Sequence, residues 1–245
     1  MRLIRVFVET TLAPGARVEA GGTAAAHMAR VLRLVAGDPV TVFNGDGSDY
    51  PARIVAIRGS RVEVEVLEQR QARPESPLAL TLVQGIARAE RMDLIVQKAT
   101  ELGVASIQPV VTTRSVIRLD AKTTERKLSH WRGIVIAACE QCGRARLPVI
   151  AEPLPLPEWL ARPMTSSVRR LQLAVDALES LASAAAGAGA IELLIGPEGG
   201  LEESERKSAT SAGFRSCAIG PRVLRTETAA LAALAVLQAA AGDLS

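Results

Sequence analysis

The sequence is poor in aromatic residues, cysteine and histidine. Aromatic residues make up 2% of the 245 positions although 48% are hydrophobic, so the core must consist of Ala, Val, Leu and Ile. Such a composition suits helices packed on buried strands. The cysteines are Cys139, Cys142 and Cys217, and only the first two have a spacing that metal sites use. Because further ligands at a suitable spacing are missing, we interpret that pair as small packing residues and expect no metal.

Long apolar segments are also missing. The longest, residues 229–241, is mostly alanine, contains Gln238 and is too short to cross a bilayer. Charged residues interrupt the apolar run between Met1 and Glu9, which excludes the pattern of an export signal there. We therefore expect a cytoplasmic protein without a membrane segment.

An excess of charge of one sign is missing from the chain as a whole, since its formal net charge is +3. The distribution is less even, because residues 112–146 contain eight basic residues and three acidic ones. A local basic band of this kind can contact nucleic-acid phosphates. It can equally be the solvated face of a helix, and composition leaves both interpretations open.

Residues 1–72 are predicted to form a small β-barrel-like domain. Segments 38–43, 50–57 and 61–66 have strand patterns, and a turn-rich connector joins the first two. A short helix is predicted for residues 27–33. Residues 69–77 are polar, contain two prolines and show no apolar period, which is typical of a linker.

Residues 73–245 are predicted to form an α/β domain with a mostly parallel sheet. Strand patterns at 78–83, 104–111, 171–175, 191–195 and 216–219 alternate with helical patterns that include 92–102, 202–212 and 226–240. Gly103 is suited to end the first of these helices. The proline-rich segment 148–163 is predicted to cross the surface of this domain.

The first of two segments with a functional signal is Gly196-Pro-Glu-Gly-Gly200, which follows a predicted strand. Ligands of open α/β sheets bind beyond the carboxyl ends of strands. Glycines permit positive φ angles and let a ligand approach the backbone. The segment has neither the dinucleotide nor the P-loop glycine pattern, so by itself it predicts a tight ligand loop or an ordinary glycine-rich turn.

The second segment runs from Ile219 to Thr228 and reads Ile-Gly-Pro-Arg-Val-Leu-Arg-Thr-Glu-Thr. Arg222 and Arg225 are three residues apart, next to the predicted start of the last helix, where Thr226 is the expected N-cap. Two guanidinium groups beside the free N–H groups of a helix start can bind an anion or polarise a carbonyl group.

Taken together, these two segments resemble the SPOUT methyltransferases. Within that superfamily the chain resembles the RsmE-like family of bacterial 16S ribosomal RNA uridine-N3 methyltransferases. The resemblance extends over essentially the whole chain through further segments in the order of that family: His27-x-x-x-Val-Leu-Arg33, Gly45-Asp-Gly47, Gln97-Lys-Ala-Thr-Glu-Leu-Gly103, Arg114-Ser-Val116 and Cys139-Glu-Gln-Cys-Gly-Arg144.

The resemblance implies a fold, a reaction and partners. The fold would be a PUA-like RNA-binding domain (residues 1–72) followed by a SPOUT domain (residues 73–245) with a C-terminal trefoil knot, an exception to the rule that chains do not thread loops. The reaction would transfer a methyl group from S-adenosyl-L-methionine to N3 of a uridine, U1498 in the family, in 16S ribosomal RNA of the 30S subunit. The resemblance also implies a homodimer with the active site at its interface.

The resemblance also implies roles for residues. The cofactor-binding set is Ile195, Gly196, Glu198, Gly199, Gly200, Ile219, Gly220, Val223, Leu224 and Thr226. The RNA-binding set is His27, Arg30, Arg33 and Arg114.

The expected catalytic set is Arg225, Glu140 and Arg144. An arginine would stabilise the negative charge that spreads over the uracil oxygens when the N3 proton leaves, and Arg225 is the first candidate, with Arg144 second. Glu140, Glu198 and Glu227 are the candidate bases. For Glu227, compensation of the helix dipole is the alternative, and for Glu198 a role in holding its loop.

Three departures from the family pattern stand out. Glu202 occupies a helix start where Ser or Thr is expected, although Glu205 can complete a capping box. Thr113 and Val35 stand where Glu and Lys are expected. Two alternative functions stay open: a SPOUT enzyme that modifies another RNA site, including ribose 2′-oxygen, and a non-catalytic RNA-binding protein.

Overall fold

The computed structural model describes residues 4–26, 28–29, 32–59, 61–115, 120–163 and 165–244. The chain divides into two compact units. The first comprises Met1–Glu75 and Ile136–Leu147, and the second comprises Ser76–Val135 and Pro148–Ser245. The predicted domain division between residues 72 and 73 stays a prediction.

The first unit is built on a sheet with a short helix. Its elements are β1 (Arg5–Phe7), β2 (Arg17–Ala20), α1 (Gly22–Ala26), β3 (Pro39–Phe43), β4 (Ser48–Arg58), β5 (Arg61–Val66) and β6 (Arg70–Gln71). The strand order is β1-β3-β4-β5-β2, and β6 pairs with β4. Only β1 and β3 pair in parallel among these strands.

The three strands predicted in the first unit are present as β3, β4 and β5. Their alternating pattern arises because one face of the sheet is buried, as with Val62, Val64 and Val66 of β5. Strand β6 lies within the segment predicted as a linker. The helix predicted for residues 27–33 lies partly outside the described residues.

The second unit alternates strands and helices. Its elements are β7 (Ala79–Gly85), α2 (Ala89–Glu101), β8 (Ser106–Val111), β9 (Val149–Ile150), β10 (Leu154–Pro155), α4 (Leu156–Leu160), β11 (Arg169–Leu173), α5 (Leu181–Ala185), β12 (Ala190–Ile195), α6 (Glu203–Ser211), β13 (Arg215–Cys217) and α7 (Thr226–Ala241). Helix α3 (Ala121–Cys142) begins in this unit and ends in the first.

The sheet of the second unit has the order β10-β8-β7-β12-β11-β13, and β9 pairs with β8. Neighbouring strands pair in parallel throughout the described part of this sheet. Strand β12 lies between β7 and β11, although both precede it in the chain. The parallel α/β fold is therefore confirmed, while the trefoil knot stays a prediction.

Helix α2 shows how the sequence pattern produces packing. Met92, Ile95, Val96 and Ala99 are fully buried at the spacing of one helix face. The helix ends at its C-cap Leu102, and Gly103 follows with φ of 76°. Glycine takes this left-handed conformation without steric cost, which explains the stop.

The expectation of a plain surface crossing at residues 148–163 is wrong. Strands β9 and β10 pair with β8, and helix α4 buries Leu156 and Trp159 against Phe214. Strands of two residues and a five-residue helix are too short to show an apolar period.

Among the described residues, no helix combines the length and apolar character needed to span a bilayer.

Candidate active site

A cleft of about 540 Å³ lies at the carboxyl ends of three neighbouring strands of the second unit. Its walls are residues 195–201 after β12, residues 217–224 around the end of β13, and residues 173–176 after β11. Every residue of the predicted cofactor-binding set lines this cleft: Ile195, Gly196, Glu198, Gly199, Gly200, Ile219, Gly220, Val223, Leu224 and Thr226. The sequence did not predict the wall formed by Leu173–Asp176.

The first loop, Gly196–Gly200, is folded tightly upon itself. The N–H of Gly200 donates to the carbonyl oxygen of Pro197 at 2.8 Å, and Gly200 has φ of 68°. A Cβ atom on Gly196 would lie 2.8 Å from both the carbonyl carbon of Gly200 and the nitrogen of Leu201. A side chain at Gly196 would therefore displace backbone that lines the cleft.

Gly85, at the end of β7, supports the first loop from below and was not predicted. A Cβ atom there would lie 2.5 Å from Cδ of Pro197 and 2.7 Å from its nitrogen. The signal in the sequence is a glycine at the end of a buried strand, which often marks a close backbone approach. The partner of that approach depends on β12 being the neighbour of β7.

An arginine of helix α2 contacts both loop regions through carboxylates. Glu198 of the first loop accepts a hydrogen bond from the N–H of Arg88 at 2.9 Å, and its Oε1 lies 3.3 Å from Nη1 of Arg91. Nε of Arg91 also lies 3.8 Å from Oε1 of Glu227, in the first turn of α7. Two of the candidate bases thus share one guanidinium group.

Arg114 lies against the other side of the first loop. Its Nη1 donates to the carbonyl oxygen of Gly199 at 2.6 Å. A Cβ atom on Gly199 would be 3.1 Å from Cβ and Cδ of Arg114, so a glycine gives this side chain its room. Arg114 is a member of the predicted RNA-binding set, and this set stays a prediction.

The start of α6 is held by a buried carboxylate. Glu205 accepts hydrogen bonds from the N–H of Glu202 at 2.9 Å and from the N–H of Thr113 at 2.8 Å. The hydroxyl of Thr113 lies 3.2 Å from the same carboxylate. A glutamate at position 113 would bring a second negative charge to this buried acid, which is a physical reason for the departure from the family pattern.

The second loop, Ile219–Arg225, is exposed over most of its length. Val223 is 84% exposed, and Arg222 and Arg225 are exposed as well. No described residue forms a hydrogen bond or ion pair with either arginine side chain. Arg222 lines the cleft, whereas Arg225 is outside its described lining.

The prediction that Thr226 caps helix α7 is wrong. Arg225 is the N-cap residue, and Thr226 is the first helical residue. The buried hydroxyl of Thr226 donates instead to the carbonyl oxygen of Gly196 at 2.7 Å. Its oxygen also lies 3.0 Å from Nε2 of Gln84, a fully buried residue of β7 that was not predicted.

The cleft contains few groups that can exchange a proton. Burial, followed by the nearby Glu179, raises the pKa of the Cys217 thiol above its ordinary value, so this thiol stays protonated near neutral pH. Asp176 pairs with Arg206, another residue of the lining, at 3.2 Å. Glu198, the other described carboxylate of the lining, is held by Arg91.

The other two predicted catalytic residues lie in the first unit: Glu140 is in the last turns of α3, and Arg144 follows the end of that helix. Glu140 accepts a hydrogen bond from the N–H of Phe7 at 3.0 Å. Arg144 forms an ion pair with Glu75 at 2.6 Å, and its carbonyl oxygen accepts from Arg5 at 3.0 Å. These contacts support the packing of the first unit, and the predicted catalytic roles stay predictions.

The cysteine pair of the first unit has one buried member. Burial raises the pKa of Cys139 to about 12, so its thiol is unreactive near neutral pH. Cys142 is half-buried. Groups of three or more His, Cys, Asp or Glu side chains suited to a metal ion do not occur in the described part of the chain.

Two residues of the predicted RNA-binding set, His27 and Arg30, lie outside the described residues. Arg33 is exposed and has φ of 53°, an uncommon conformation for a residue other than glycine.

Family models match both parts of the chain. Residues 74–238 match an RNA methyltransferase domain, and residues 21–67 match an RNA methyltransferase PUA domain. The ribosomal RNA small subunit methyltransferase E of Buchnera aphidicola (subsp. Schizaphis graminum) is 30% identical over 244 residues, which is 100% of this chain and 99% of that relative.

Two solved structures resemble the whole chain. The ribosomal RNA small subunit methyltransferase E of Neisseria gonorrhoeae, bound to S-adenosylmethionine, has a TM-score of 0.92 and 36% identity. A Legionella pneumophila protein described as a methyltransferase, in complex with the same cofactor, has a TM-score of 0.94 and 37% identity. The match covers 100% of this chain and 100% of the other chain in both cases.

Proposed function

Given that this chain belongs to the ribosomal RNA small subunit methyltransferase E family of RNA methyltransferases, we propose that it methylates N3 of a uridine in 16S ribosomal RNA. The methyl donor in this proposal is S-adenosylmethionine. The observation that carries the proposal is the cleft, because all ten residues that the family resemblance assigns to cofactor binding line its walls.

The residues of the cleft suit this methyl donor. A volume of about 540 Å³ is within the range of small-molecule sites. Glycines at 196, 199, 200 and 220 carry no side chain, which lets a ligand approach the backbone closely, and Leu173, Val175 and Leu224 offer apolar surface. When bound, the sulfonium group supplies an electrophilic methyl carbon.

The protein's contribution to the reaction is to orient the base and stabilise its charge. Loss of the N3 proton leaves negative charge on the two uracil oxygens, which a fixed cation stabilises. Arg225 and Arg222 are suited to this role, since both are exposed on the second loop and no described residue pairs with them. Arg225 remains our first candidate, and Arg222 has the added support that it lines the cleft.

The proposed base is not assigned to a side chain of the first loop or of α7. Glu198 and Glu227 both face Arg91, so each carboxylate already has a cationic partner. For these residues a role in holding the loops is better supported than proton transfer. The buried thiol of Cys217 is an equally poor acceptor, because it is already protonated.

The proposed partners are 16S ribosomal RNA in the 30S subunit and a second copy of the chain. The PUA match at residues 21–67 supports RNA binding by the first unit. The exposed side chains of Val223, Arg222 and Arg225 give the second loop a surface that RNA or another subunit can cover. The active site at a homodimer interface is part of this proposal.

The test is methylation of 30S subunits isolated from a strain that lacks the endogenous enzyme. With S-adenosylmethionine present, we expect one modified uridine in 16S ribosomal RNA, located by primer extension and identified as the N3-methyl form by mass spectrometry. A 2′-O-methyl product would establish the alternative reaction. Absence of cofactor binding by the pure protein would leave the non-catalytic RNA-binding alternative.

A further inference from the structure

A buried amide lies beneath both loops of the cleft. Gln84 is on β7, in a sheet whose neighbouring buried positions are Leu82, Val83 and Leu194, and its exposure is 0%. Burying an amide among aliphatic side chains is unfavourable unless the amide forms hydrogen bonds. Its contacts therefore indicate what this side chain does for the structure.

The contacts of Gln84 determine which way its amide points. Nε2 lies within hydrogen-bonding distance of three oxygen atoms: the carbonyl oxygen of Gly85 at 2.9 Å, that of Gly196 at 3.3 Å, and Oγ1 of Thr226 at 3.0 Å. If the amide were reversed, Oε1 would face these three oxygens, and the two carbonyl oxygens among them cannot donate a hydrogen bond.

The other end of the amide is left without a partner. Oε1 of Gln84 is buried and has no hydrogen bond to any described residue. A methionine at position 84 would fill a similar volume and would leave no buried carbonyl oxygen without a hydrogen bond. The stabilising contribution of Gln84 thus lies in the donors that it directs at Gly196 and Thr226.

The hydroxyl of Thr226 completes the connection. It accepts from Gln84 and donates to the carbonyl oxygen of Gly196 at 2.7 Å. Gly196 is the first residue of the first loop, and Thr226 directly follows the second loop. One buried amide and one buried hydroxyl therefore join the end of β7 to both loops of the cleft.

We propose that Gln84 and Thr226 are positioning residues that hold the two loops in their cofactor-binding arrangement before the cofactor arrives. The proposal rests on the proposed function, because it takes S-adenosylmethionine as the ligand of the cleft. A preformed site avoids the cost of ordering its loops upon binding. Loss of the Gly196–Thr226 connection then weakens cofactor binding without removing any group that faces the RNA.

The test compares Thr226→Val, which loses the hydroxyl at nearly constant volume, with Thr226→Ser, which keeps it. By titration calorimetry with S-adenosylmethionine we expect the valine variant to bind about tenfold more weakly, since two buried hydrogen bonds are lost. The serine variant is expected to remain within about threefold of the parent, and KM for RNA is expected to be unchanged in both.

A control removes the hydroxyl of a second glutamine–threonine pair, in which Gln172 of β11 is buried and Thr210 of α6 is exposed. Nε2 of Gln172 donates to Oγ1 of Thr210 at 3.0 Å, and Oε1 of Gln172 is likewise without a described partner. Thr210 lies outside the described lining of the cleft. Thr210→Val therefore removes a hydroxyl with a glutamine partner away from the cleft, and its cofactor affinity is expected to equal that of the parent.

A second variant, Gln84→Met, keeps the side-chain volume and removes the donors. It is also expected to bind the cofactor more weakly than the parent. The double variant Gln84→Met/Thr226→Val is expected to bind no more weakly than the single variant with the lower affinity, because both substitutions act on one hydrogen-bond network. Equal cofactor affinity in Thr226→Val, Gln84→Met and the parent would overturn the proposal. A parent protein that binds no S-adenosylmethionine would instead overturn the proposed function.

Discussion

The two loops of the cleft differ in how the rest of the chain holds them. Each part of the first loop has a partner: Gly196 bonds to Thr226, Glu198 to Arg88 and Gly199 to Arg114. The second loop presents the exposed side chain of Val223 and two exposed arginine side chains, and no described residue forms a hydrogen bond or ion pair with either arginine side chain.

The difference assigns different duties to the loops. A loop held by side chains on several sides offers a preformed surface, which favours recognition of a small cofactor. Unpaired guanidinium groups remain available to a polyanion or to a developing negative charge. We therefore expect substitutions around the first loop to change cofactor affinity, and substitutions of the two arginines of the second loop to change turnover.

The largest effect is expected from Arg225→Ala in the second loop. Loss of a cation that stabilises the charge of the transition state lowers kcat by about 100- to 1,000-fold. Cofactor affinity, measured by calorimetry, is expected to stay close to that of the parent. Arg222→Ala, measured in parallel, reports whether the neighbouring arginine shares the role.

The control for both arginine variants is Lys207→Ala, which removes a cation of α6 whose side chain is 74% exposed. Its turnover is expected to equal that of the parent. Loss of cofactor binding with turnover preserved at saturation would make Arg225 a cofactor ligand, and the proposed contrast between the loops would be wrong.

A smaller effect is expected from Gly85→Ala beneath the first loop. The new methyl group would lie 2.5 Å from Cδ of Pro197, so the loop must shift. Overpacking of this kind costs roughly 1–3 kcal/mol, which corresponds to about a 5- to 150-fold loss of cofactor affinity when the displaced loop carries the whole cost. Calorimetry with S-adenosylmethionine measures the change.

Gly189→Ala is the matched control, because its Cβ would meet no atom within 4 Å and its φ lies outside the left-handed region. Its cofactor affinity is expected to match the parent. Unchanged affinity in Gly85→Ala would mean that the first loop adapts to the displacement and is not a preformed surface.

A modest effect is expected from Arg91→Met. This variant removes the guanidinium group between Glu198 and Glu227 and keeps the aliphatic stem. Partly exposed ion pairs contribute about 0.2–1 kcal/mol each, so loss of both is expected to lower cofactor affinity by roughly twofold to thirtyfold. Increasing the salt concentration is expected to reduce the difference between variant and parent.

The smallest effect is expected from Cys217→Ala. Because burial raises the pKa of this thiol, it is protonated near neutral pH and cannot accept the N3 proton of the uracil. Turnover of the variant is expected to remain within about twofold of the parent, as for a change that removes no transition-state contact. A limb of the pH–rate profile that disappears in the variant would contradict this assignment.

The loops could be predicted from the sequence better than the contacts that hold them. The loops themselves are recognisable in the sequence because their glycines, arginines and threonine are close together in the chain. The α/β alternation and the three central strands of the first unit are local patterns as well. The prediction of Thr226 as the N-cap was wrong, because its hydroxyl donates a hydrogen bond to Gly196, thirty residues earlier in the chain.

The sequence by itself determined the family, the parallel α/β fold and two walls of the cleft, since each depends on residues within a few positions of one another. Only the tertiary structure decided the third wall at Leu173–Asp176 and the supports Gly85, Gln84 and Arg91. These depend on the insertion of β12 between β7 and β11. Strand β7 precedes β12 by more than a hundred residues, and β11 precedes it by about twenty. Pairing over such separations is a property of the folded sheet, and local periodicity carries no record of it.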